Sequence, residues 1–504
     1  MSLKRNFSIG LLSSIWNTFL GFAVVPIYLK YLGIEAYGLI GFFVITQALL
    51  QLLDLGLPVT VNREIARCSA TGNMVKAKNI LHSLSVVYCV TAFVILLLAL
   101  VLAPVVANHW LQSSYLPGNT LTHILILIGI IVACRWPVGL YVGVLMGMQK
   151  AALSSIIGSV FYSFSSLGAV VVLIFFSPTI QAFFVWQVCV GILYSVFMHL
   201  MAWRIVDGKS EIYRFSFDYL REIWSFSVGM SALTLAGAIL IQLDKLLLSG
   251  KITLLDFGKY SLSWTVANSL LILLIPIFNS IYPRFTSLIT VGDTVALSNI
   301  YRIGSRLLSS VLFPIAILAG IFAEDLVFMW TRNSNLAIEV APIIRLLLIG
   351  SAVNGVTIFP YALQLAYGVV GLPLKICLIL IASTVPMTIF LATKYGVIGG
   401  AFSWVIMNCI NLLLTSWLTH RVILKNIGFK WLVWDIGVPM IFSLLVLSIL
   451  GTKVRDLGLS HVANVLSGSA IGLLTVLLLI LSSPRLVRAL LNSFKEKEFI
   501  LKAY

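Results

Sequence analysis

The chain has 504 residues, of which 60% are hydrophobic and only 10% are charged, and its mean hydropathy is +1.07. Soluble domains carry about 25% charged residues, so this composition excludes an ordinary soluble protein. The formal net charge of +16 does not indicate nucleic acid as a partner, because basic residues also accumulate on the cytoplasmic loops of membrane proteins and the sequence carries no nucleic-acid-binding motif.

Apolar runs recur along the whole chain, and about 20 apolar residues are enough for a helix to cross a bilayer. The pattern predicts an all-α polytopic membrane protein with about fourteen transmembrane helices. The predicted spans are 7–29, 38–58, 80–106, 120–148, 151–177, 179–203, 222–249, 257–283, 299–323, 341–366, 370–392, 397–420, 431–451 and 462–483. An even number of spans places both termini on the same side of the membrane.

The basic residues set the direction of these spans. With the N-terminus in the cytoplasm, the cytoplasmic side of the predicted topology holds 23 of the 33 Lys and Arg residues, and the external side holds seven. Cytoplasmic loops of membrane proteins carry an excess of Lys and Arg. Both termini are therefore predicted to be cytoplasmic.

Two loops match each other at an offset of 220 residues: TGNMVKAKNI at 71–80 and VGDTVALSNI at 291–300. The same offset relates EAYG at 35–38 to LDFG at 255–258. Six spans followed by six more in the same orientation produce this register. The sequence therefore predicts an internal parallel repeat.

The repeat predicts the domain organisation. Spans one to six form an N-lobe at 1–210, spans seven to twelve form a C-lobe at 211–430, and an additional hairpin with a basic cytoplasmic tail follows at 431–504. Parallel repeats in transporters are related by an axis along the membrane normal, and the substrate binds at the interface of the repeats. A transport site between the two lobes is the expectation.

Three basic residues are assigned to neither the cytoplasmic nor the external side and remain in the membrane: Arg135, Lys245 and Arg345. Charge in hydrocarbon is costly, so such a residue faces a wet cavity or a partner that holds helices together. Arg135 is nearest to a helix centre, which favours the cavity, whereas Lys245 and Arg345 lie near the outer ends of their spans, where snorkelling is an equal alternative. Asp244 precedes Lys245, and adjacent helical residues point about 100° apart, so these two are not expected to serve one face.

Polar side chains form a stripe on the second span. Gln47, Gln51 and Asp54 follow i, i+4, i+7 spacing and share one helix face, and Asn17 lies in the middle of the first span. These residues are predicted to line a polar cavity or to take part in ion coupling. Ordinary hydrogen bonding between helices is the alternative.

Enzyme and metal-site signatures are missing from the sequence. It contains no H-E-x-x-H, P-loop or G-x-S-x-G motif, and its six cysteines lack C-x-x-C spacing. No catalytic residue, metal or cofactor is predicted. The chain is expected to be a transporter and not an enzyme.

One segment, YLGIEAYGLIGFFVITQALLQLLDLGLPVTVNREIAR at 31–67, carries a family resemblance. It resembles the start of bacterial polysaccharide exporters, the O-antigen flippases of Wzx type in the multidrug/oligosaccharidyl-lipid/polysaccharide (MOP) superfamily. The residues that carry the resemblance are Gly33, Tyr37-Gly38, Asp54-Leu55-Gly56 and Arg63, and later Asp244 and Gly258-Lys259-Tyr260. Fourteen spans depart from the twelve that are common in these flippases.

The resemblance implies a V-shaped transporter in the bacterial cell inner membrane. It would move an undecaprenyl-pyrophosphate-linked oligosaccharide, such as an O-antigen repeat unit, from the cytoplasmic to the periplasmic leaflet by alternating access. An H⁺ or Na⁺ gradient would drive transport, since no nucleotide-binding motif is present. The partners implied are the lipid-linked glycan, inner-membrane lipids, a glycan polymerase and a chain-length regulator.

The resemblance also implies roles for the charged residues. In similar proteins a cationic central cavity receives the pyrophosphate and the sugar. The residues implied as ligands of the anionic head group are Arg135, Lys245, Arg345 and Arg63. Asp54 and Asp244 are implied in ion coupling or in pairing with these cations.

Three other functions compete with this interpretation. A lipid II flippase is the nearest alternative and fits fourteen spans. A multidrug antiporter needs a carboxylate-rich cavity for amphipathic cations, whereas the residues assigned to the membrane interior are three bases and one clear acid, Asp244. A membrane glycan polymerase needs a sizeable external loop or an acidic first-loop motif, and the predicted external loops are short.

Overall fold

A computed structural model describes residues 3–52, 54, 56–206, 217–272, 274–425, 427–458, 460–484 and 486–488. These residues are helical apart from turns and short loops, and Gln112 and Thr253 form an isolated β-bridge. The predicted lobe boundary at 210–211 and most of the predicted basic tail lie outside the described residues.

The chain divides into two compact units, Met1–Gly258 and Lys259–Tyr504. The first unit contains α1 (Leu3–Leu52), α2 (Leu57–Thr71), α3 (Met74–His109), α4 (Gly118–Arg135), α5 (Val138–Gly147), α6 (Ala151–Val171), α7 (Ile180–Val206) and α8 (Phe217–Ser249), and α9 (Leu254–Ile272) contains the boundary. The seventh predicted span, α8, packs against α1, α2 and α3. The lobe boundaries derived from the repeat stay predictions.

The second unit contains the rest of the repeat and the last hairpin. Its helices are α10 (Leu274–Val291), α11 (Thr294–Ile321), α12 (Ala323–Thr331), α13 (Ser334–Val356), α14 (Ile358–Ala366), α15 (Gly371–Val422), α16 (Gly428–Lys430), α17 (Val438–Asp456) and α18 (His461–Leu481). A π-helical segment, Trp431–Gly437, joins α16 to α17, and a second one, Val172–Phe176, extends α6 in the first unit.

Among the described residues, twelve helical segments are long and apolar enough to cross a membrane. Two of them, Ser8–Gln51 and Gly371–Val422, have 44 and 52 residues, more than twice the roughly 20 residues that one crossing needs. Each is interrupted by a glycine with non-helical backbone angles, Gly33 in the first and Gly396 in the second. Each therefore covers two predicted spans, and the prediction of an all-α membrane fold with about fourteen spans is confirmed.

The sequence repeat corresponds to two turns of the same geometry. Gly72 and Gly292 follow α2 and α10 with φ angles of 70° and 78°. The next residues, Asn73 and Asp293, are the N-caps of α3 and α11, and their side-chain oxygens accept the backbone N–H three residues further on at 3.0 and 2.8 Å. A side-chain cap of this kind satisfies one of the unpaired donors at a helix start. The Gly-Asx pair thus forms the same helix-to-helix turn in both units.

Gly33 permits the sharp break inside α1. Its φ of 79° and ψ of 172° lie in a region that is essentially restricted to glycine. A Cβ atom placed on Gly33 would meet no other atom within 4 Å. Only the backbone conformation therefore opposes a side chain at this position.

We expect Gly33→Ala to lower the free energy of unfolding by about 1–3 kcal/mol, because alanine is strained in this backbone region. Thermal unfolding of the detergent-solubilised protein measures the effect. Gly237→Ala is the matched control, since Gly237 is helical and a Cβ there also meets no atom within 4 Å. Equal melting temperatures for the two variants would contradict the prediction.

Candidate functional site

A cavity of about 370 Å³ lies within the first unit. Its polar wall is formed by Gln47 and Gln51 near the end of α1, Asp54 in the following turn, and Arg135 at the end of α4. The other residues that line it are Leu50, Pro58, Val132, Trp136, Val138, Gly139, Val142 and Tyr194. The polar stripe of the second span and the arginine of the fourth span, which the sequence singles out separately, thus face one cavity.

The conformation of the turn after α1 places Asp54 at the polar wall of the cavity. Gly56 adopts a left-handed conformation with φ of 74°, and Pro58 lies in the first turn of α2, where its missing N–H costs nothing. Helix α5 approaches this turn closely through glycines. A Cβ on Gly143 would lie 2.6 Å from the Pro58 carbonyl oxygen, and one on Gly139 would lie 3.0 Å from Asp54 Oδ2.

Asp54 is a buried carboxylate with unused bonding capacity. The residue is 9% exposed, and its Oδ1 atom has no hydrogen-bond partner among the described residues. The side chain of Tyr88, which is also buried, lies beside the carboxylate. Burying an ionised oxygen without a partner is unfavourable, so a proton, a cation or water is needed to stabilise this group. In the described structure no ion pair joins Asp54 to Arg135.

Arg135 is held by neutral partners. Its Nη2 donates to Gln187 Oε1 at 3.0 Å, and the same oxygen accepts the Ser165 hydroxyl at 2.6 Å. The guanidinium carbon lies 5.9 Å from the centroid of the Phe43 ring, within the range of cation–π attraction. The Nε–H has no hydrogen-bond partner among the described residues. The described contacts therefore orient the guanidinium without cancelling its positive charge.

The cavity wall carries one base and one acid among its described residues. Its formal charge is therefore zero when Asp54 is ionised and plus one when Asp54 is neutral. The cavity is cationic, as the resemblance implies, only when Asp54 is neutral. Elsewhere, no group of three or more His, Cys, Asp or Glu side chains in the described part of the chain is arranged to hold a metal ion.

Lys245 and Asp244 correct one expectation. Their positions on α8 were not expected to let them serve one helix face, yet Lys245 Nζ lies 3.1 Å from Asp244 Oδ1 and 2.6 Å from the Ile241 carbonyl oxygen. Pairing of Asp244 with one of the basic residues is among the roles that the resemblance implies. Both side chains are buried. The expectation was wrong because it considered only the directions of the Cβ atoms, whereas the flexible lysine chain folds back along the helix.

The remaining predicted site residues lie elsewhere. Arg63, on α2, donates from Nε and Nη2 to Glu64 Oε1 at 3.0 and 2.8 Å. Arg345, on α13 of the second unit, donates from Nε to the Gly320 carbonyl at 3.0 Å. Asn17, on α1, does not line the 370 Å³ cavity, and its Oδ1 atom has no hydrogen-bond partner among the described residues. Their roles in binding stay predictions.

Sequence reasoning missed Gln187, which holds Arg135. A signal was available, because a glutamine in the middle of an apolar span is as unusual as the glutamines of the α1 stripe. No spacing rule connects residues 52 positions apart, however, and the link depends on the packing of α4 against α7.

The family whose description reads "Polysaccharide biosynthesis protein" matches residues 3–289, more than half of the chain. The chain belongs to this family. A relative, the putative O-antigen transporter of Shigella flexneri, is 24% identical over 424 residues, which cover 81% of this chain and 97% of the relative. The resemblance to polysaccharide exporters found in the sequence is thereby confirmed.

Two solved structures share the fold of this family member. The lipid II flippase MurJ in its inward closed conformation has a TM-score of 0.70 at 14% identity and covers 95% of this chain and 98% of its own. An inward-facing multidrug resistance MATE family transporter of the MOP superfamily has a TM-score of 0.67 at 13% identity and covers 84% of this chain and 99% of its own. The fold is therefore that of MOP transporters.

We expect Gln187→Leu to lower the free energy of unfolding by about 1.5–3 kcal/mol, because it removes the acceptor of a charged donor and leaves Arg135 unpaired. Gln187→Glu keeps an acceptor and should retain stability. Thermal unfolding in detergent measures both effects.

The control for this prediction is Gln364→Leu in the second unit. Gln364 is buried and donates to the Thr419 hydroxyl at 2.7 Å, so the variant removes a neutral hydrogen bond, worth about 0.5–1.5 kcal/mol. A loss for Gln187→Leu no larger than that for Gln364→Leu would show that the charge of Arg135 adds nothing.

Proposed function

We propose that this chain is a flippase for an undecaprenyl-pyrophosphate-linked oligosaccharide, such as an O-antigen repeat unit. It moves this lipid from the cytoplasmic to the periplasmic leaflet of the inner membrane by alternating access, with both of its own termini in the cytoplasm. The observation that carries the proposal is Arg135, which lines a cavity inside a membrane protein and keeps its charge. The family description and the O-antigen transporter among the relatives support the choice of substrate class.

The chemistry of Arg135 suits an anionic head group. Guanidinium groups donate paired hydrogen bonds to phosphate oxygens, and the Nε–H group of Arg135 has no hydrogen-bond partner among the described residues. A pyrophosphate that crosses the hydrocarbon core without such a partner meets a large desolvation penalty. Arg135 offsets part of that penalty in our proposal.

The other predicted residues take secondary roles. The amides of Gln47 and Gln51, on the same cavity wall, donate to and accept from sugar hydroxyls. Arg345 contributes further positive charge, whereas Arg63 and Lys245 contribute less, because the carboxylates of Glu64 and Asp244 pair with them. Asn17 contributes a polar side chain to the transport path along the first span. The flipped unit then passes to a glycan polymerase and its chain-length regulator.

We further propose that Asp54 couples transport to an H⁺ or Na⁺ gradient. Its carboxylate is the acidic group on the cavity wall and has an oxygen without a partner among the described residues. Loading this group with a proton or a cation removes the negative charge that repels the head group. The bound ion therefore raises the affinity for the anionic lipid, and it must leave to the cytoplasm before the lipid crosses, so that inward movement of the ion drives outward movement of the lipid.

The proposed substrate is tested by deleting the gene for this chain in a bacterium that makes a known surface glycan. The deletion strain is then complemented with the wild-type chain. Deletion should remove the long-chain glycan and accumulate the lipid-linked unit on the cytoplasmic face, and the wild-type chain should restore export. Unchanged glycan in the deletion strain would reject the proposal.

The same assay tests Arg135. We expect Arg135→Ala to abolish complementation and Arg135→Lys to retain part of it, because lysine keeps the charge but loses the paired donors of the guanidinium. Membrane levels of each variant are compared by immunoblot. If Arg135→Ala, present in the membrane at the wild-type level, supported full export, Arg135 would not be part of the binding site.

Asp54→Asn tests the coupling. The amide is permanently neutral, so binding of undecaprenyl pyrophosphate to the purified variant should lose its dependence on pH and on Na⁺ while the wild type keeps it. Binding is followed by the quenching of intrinsic fluorescence. Gln51→Glu places a carboxylate one helical turn away and should make the dependence steeper. The same pH and Na⁺ response in Asp54→Asn and in the wild type would exclude Asp54 as the coupling group.

A lipid II flippase is the second candidate function. The observation that favours it is the MurJ structure, whose match covers 95% of this chain, whereas the MATE match covers 84%. The deletion experiment separates the two functions. Loss of viability with accumulated peptidoglycan precursor would indicate lipid II, whereas a viable strain that lacks only its surface glycan supports the oligosaccharide.

A further inference from the structure

A group of aromatic side chains lies at the surface of the second unit, where α10 contacts α14. We call it the tyrosine patch, and it consists of Phe278 and Tyr282 on α10 and Tyr361 on α14. Both tyrosines are 37% exposed. The proposed function gives this patch no role, because the amides assigned to sugar hydroxyls, Gln47 and Gln51, lie in the first unit.

Phe278 holds the two tyrosine rings in place. Phe278 and Tyr282 are four residues apart on one helix and are therefore neighbours on its surface. Their ring centroids are 5.6 Å apart, and the ring planes differ by only 7°. The centroid of the Tyr361 ring lies 5.9 Å from that of Phe278, with the planes at 33°. Aromatic rings at these distances attract each other, so the three rings form one ordered apolar surface.

Hydrogen-bonding groups border the aromatic rings. Neither tyrosine hydroxyl is hydrogen-bonded to another residue in the described part of the chain. Pro283 has no N–H to donate to the carbonyl of Asn279 four residues before it, so this carbonyl lacks its α-helical donor. The side chain of Asn279 is exposed as well. The patch thus combines aromatic faces with donors and acceptors that suit hydroxyl groups.

The exposed face of α10 borders water and not lipid. The helix belongs to Leu254–Val291, one of the segments long and apolar enough to cross a membrane. An asparagine side chain that faced hydrocarbon would leave its amide unsatisfied, so the exposed Asn279 indicates a wet surface. The predicted topology places this part of span eight near the cytoplasm. A lipid-linked glycan enters from that side in the proposed cycle.

The internal repeat shows that the exposed tyrosine on α14 is not a requirement of the fold. Helix α5 begins at Val138 and α14 at Ile358, exactly one repeat offset of 220 residues later. Tyr141 therefore occupies the position on α5 that Tyr361 occupies on α14. Tyr141 is buried, and its hydroxyl is hydrogen-bonded to His199 Nδ1 at 2.8 Å. The same residue type is used for packing in the first unit and is left accessible in the second.

We propose that the tyrosine patch binds sugar rings of the lipid-linked oligosaccharide, an inference that rests on the proposed flippase function. One face of a pyranose ring carries several C–H groups, and their positive hydrogens are attracted to the negative face of an aromatic ring. The sugar hydroxyls exchange hydrogen bonds with the tyrosine hydroxyls and with Asn279. The three rings carry no charge, so they suit sugars and not the pyrophosphate.

Two lipids distinguish the sugar from the rest of the substrate. One is the lipid-linked repeat unit extracted from the deletion strain, and the other is undecaprenyl pyrophosphate, which carries no sugar. Native mass spectrometry of the purified full-length protein measures both affinities. The double variant Tyr282→Ala, Tyr361→Ala should bind the lipid-linked unit about tenfold more weakly, as expected for two lost stacking contacts. Its affinity for undecaprenyl pyrophosphate should not change.

Two further variants separate the ring from the hydroxyl and from general exposure. The double variant Tyr282→Phe, Tyr361→Phe keeps the rings and should lose less affinity than the alanine variant. Tyr395→Ala is the matched control, because it removes an exposed tyrosine of the second unit from a turn that is predicted to be external. It should leave both affinities unchanged. The melting temperature of each variant shows that the protein remains folded.

Three results would overturn the proposal. Equal losses for both lipids in the alanine variant would mean that the tyrosines contact the isoprenoid or the pyrophosphate. Unchanged binding of the lipid-linked unit would remove the patch from the site, while restored export by the wild-type chain would leave the proposed function intact. An unchanged surface glycan in the deletion strain would reject the proposed function and this inference together.

Discussion

The free-energy cost of placing a charge in hydrocarbon determines how the intramembrane basic residues of this protein are arranged. Each of the three basic residues that the sequence puts inside a span has found a partner, and the partners differ in kind. Arg135 donates to the amide of Gln187, Arg345 donates to a backbone carbonyl, and Lys245 pairs with the carboxylate of Asp244. Because a carboxylate cancels the charge and an amide does not, the choice of partner decides which residue can still attract an anion. Arg135 and Arg345 both have neutral partners, and of the three residues only Arg135 lines the 370 Å³ cavity.

Much of the fold follows from the sequence because its signals are local. Hydropathy locates the spans, since every crossing needs its own apolar run, and the 220-residue offset locates equivalent turns, since each needs a glycine followed by a capping side chain. The breaks at Gly33 and Gly396 are less visible. Hydropathy shows that the chain must turn there, but not that one residue with positive φ makes the turn.

The candidate site is only partly predictable for the same reason. The spacing of Gln47, Gln51 and Asp54 reveals a shared face, which is a property of one helix. The position of Arg135 opposite that face and its bond to Gln187 depend on how separate helices pack, and no pattern within one helix contains that information. Lys245 shows a different limit of sequence reasoning. The angle between adjacent helix positions predicts where the Cβ atoms point, but the flexible lysine side chain still reaches Asp244.

The last hairpin is fastened to the second unit at both of its ends. Asp435 binds Arg302 near one end, Arg455 pairs with Glu324 near the other, and α17 and α18 pack along α11 between these points. An element attached at two distant points cannot swing as a gate. In the proposed alternating-access cycle, any reorientation of the second unit in the bilayer moves the hairpin with it and displaces the lipids around it. The two additional helices therefore widen the body that has to move, and the viscosity and thickness of the surrounding membrane should influence the speed of the transport cycle.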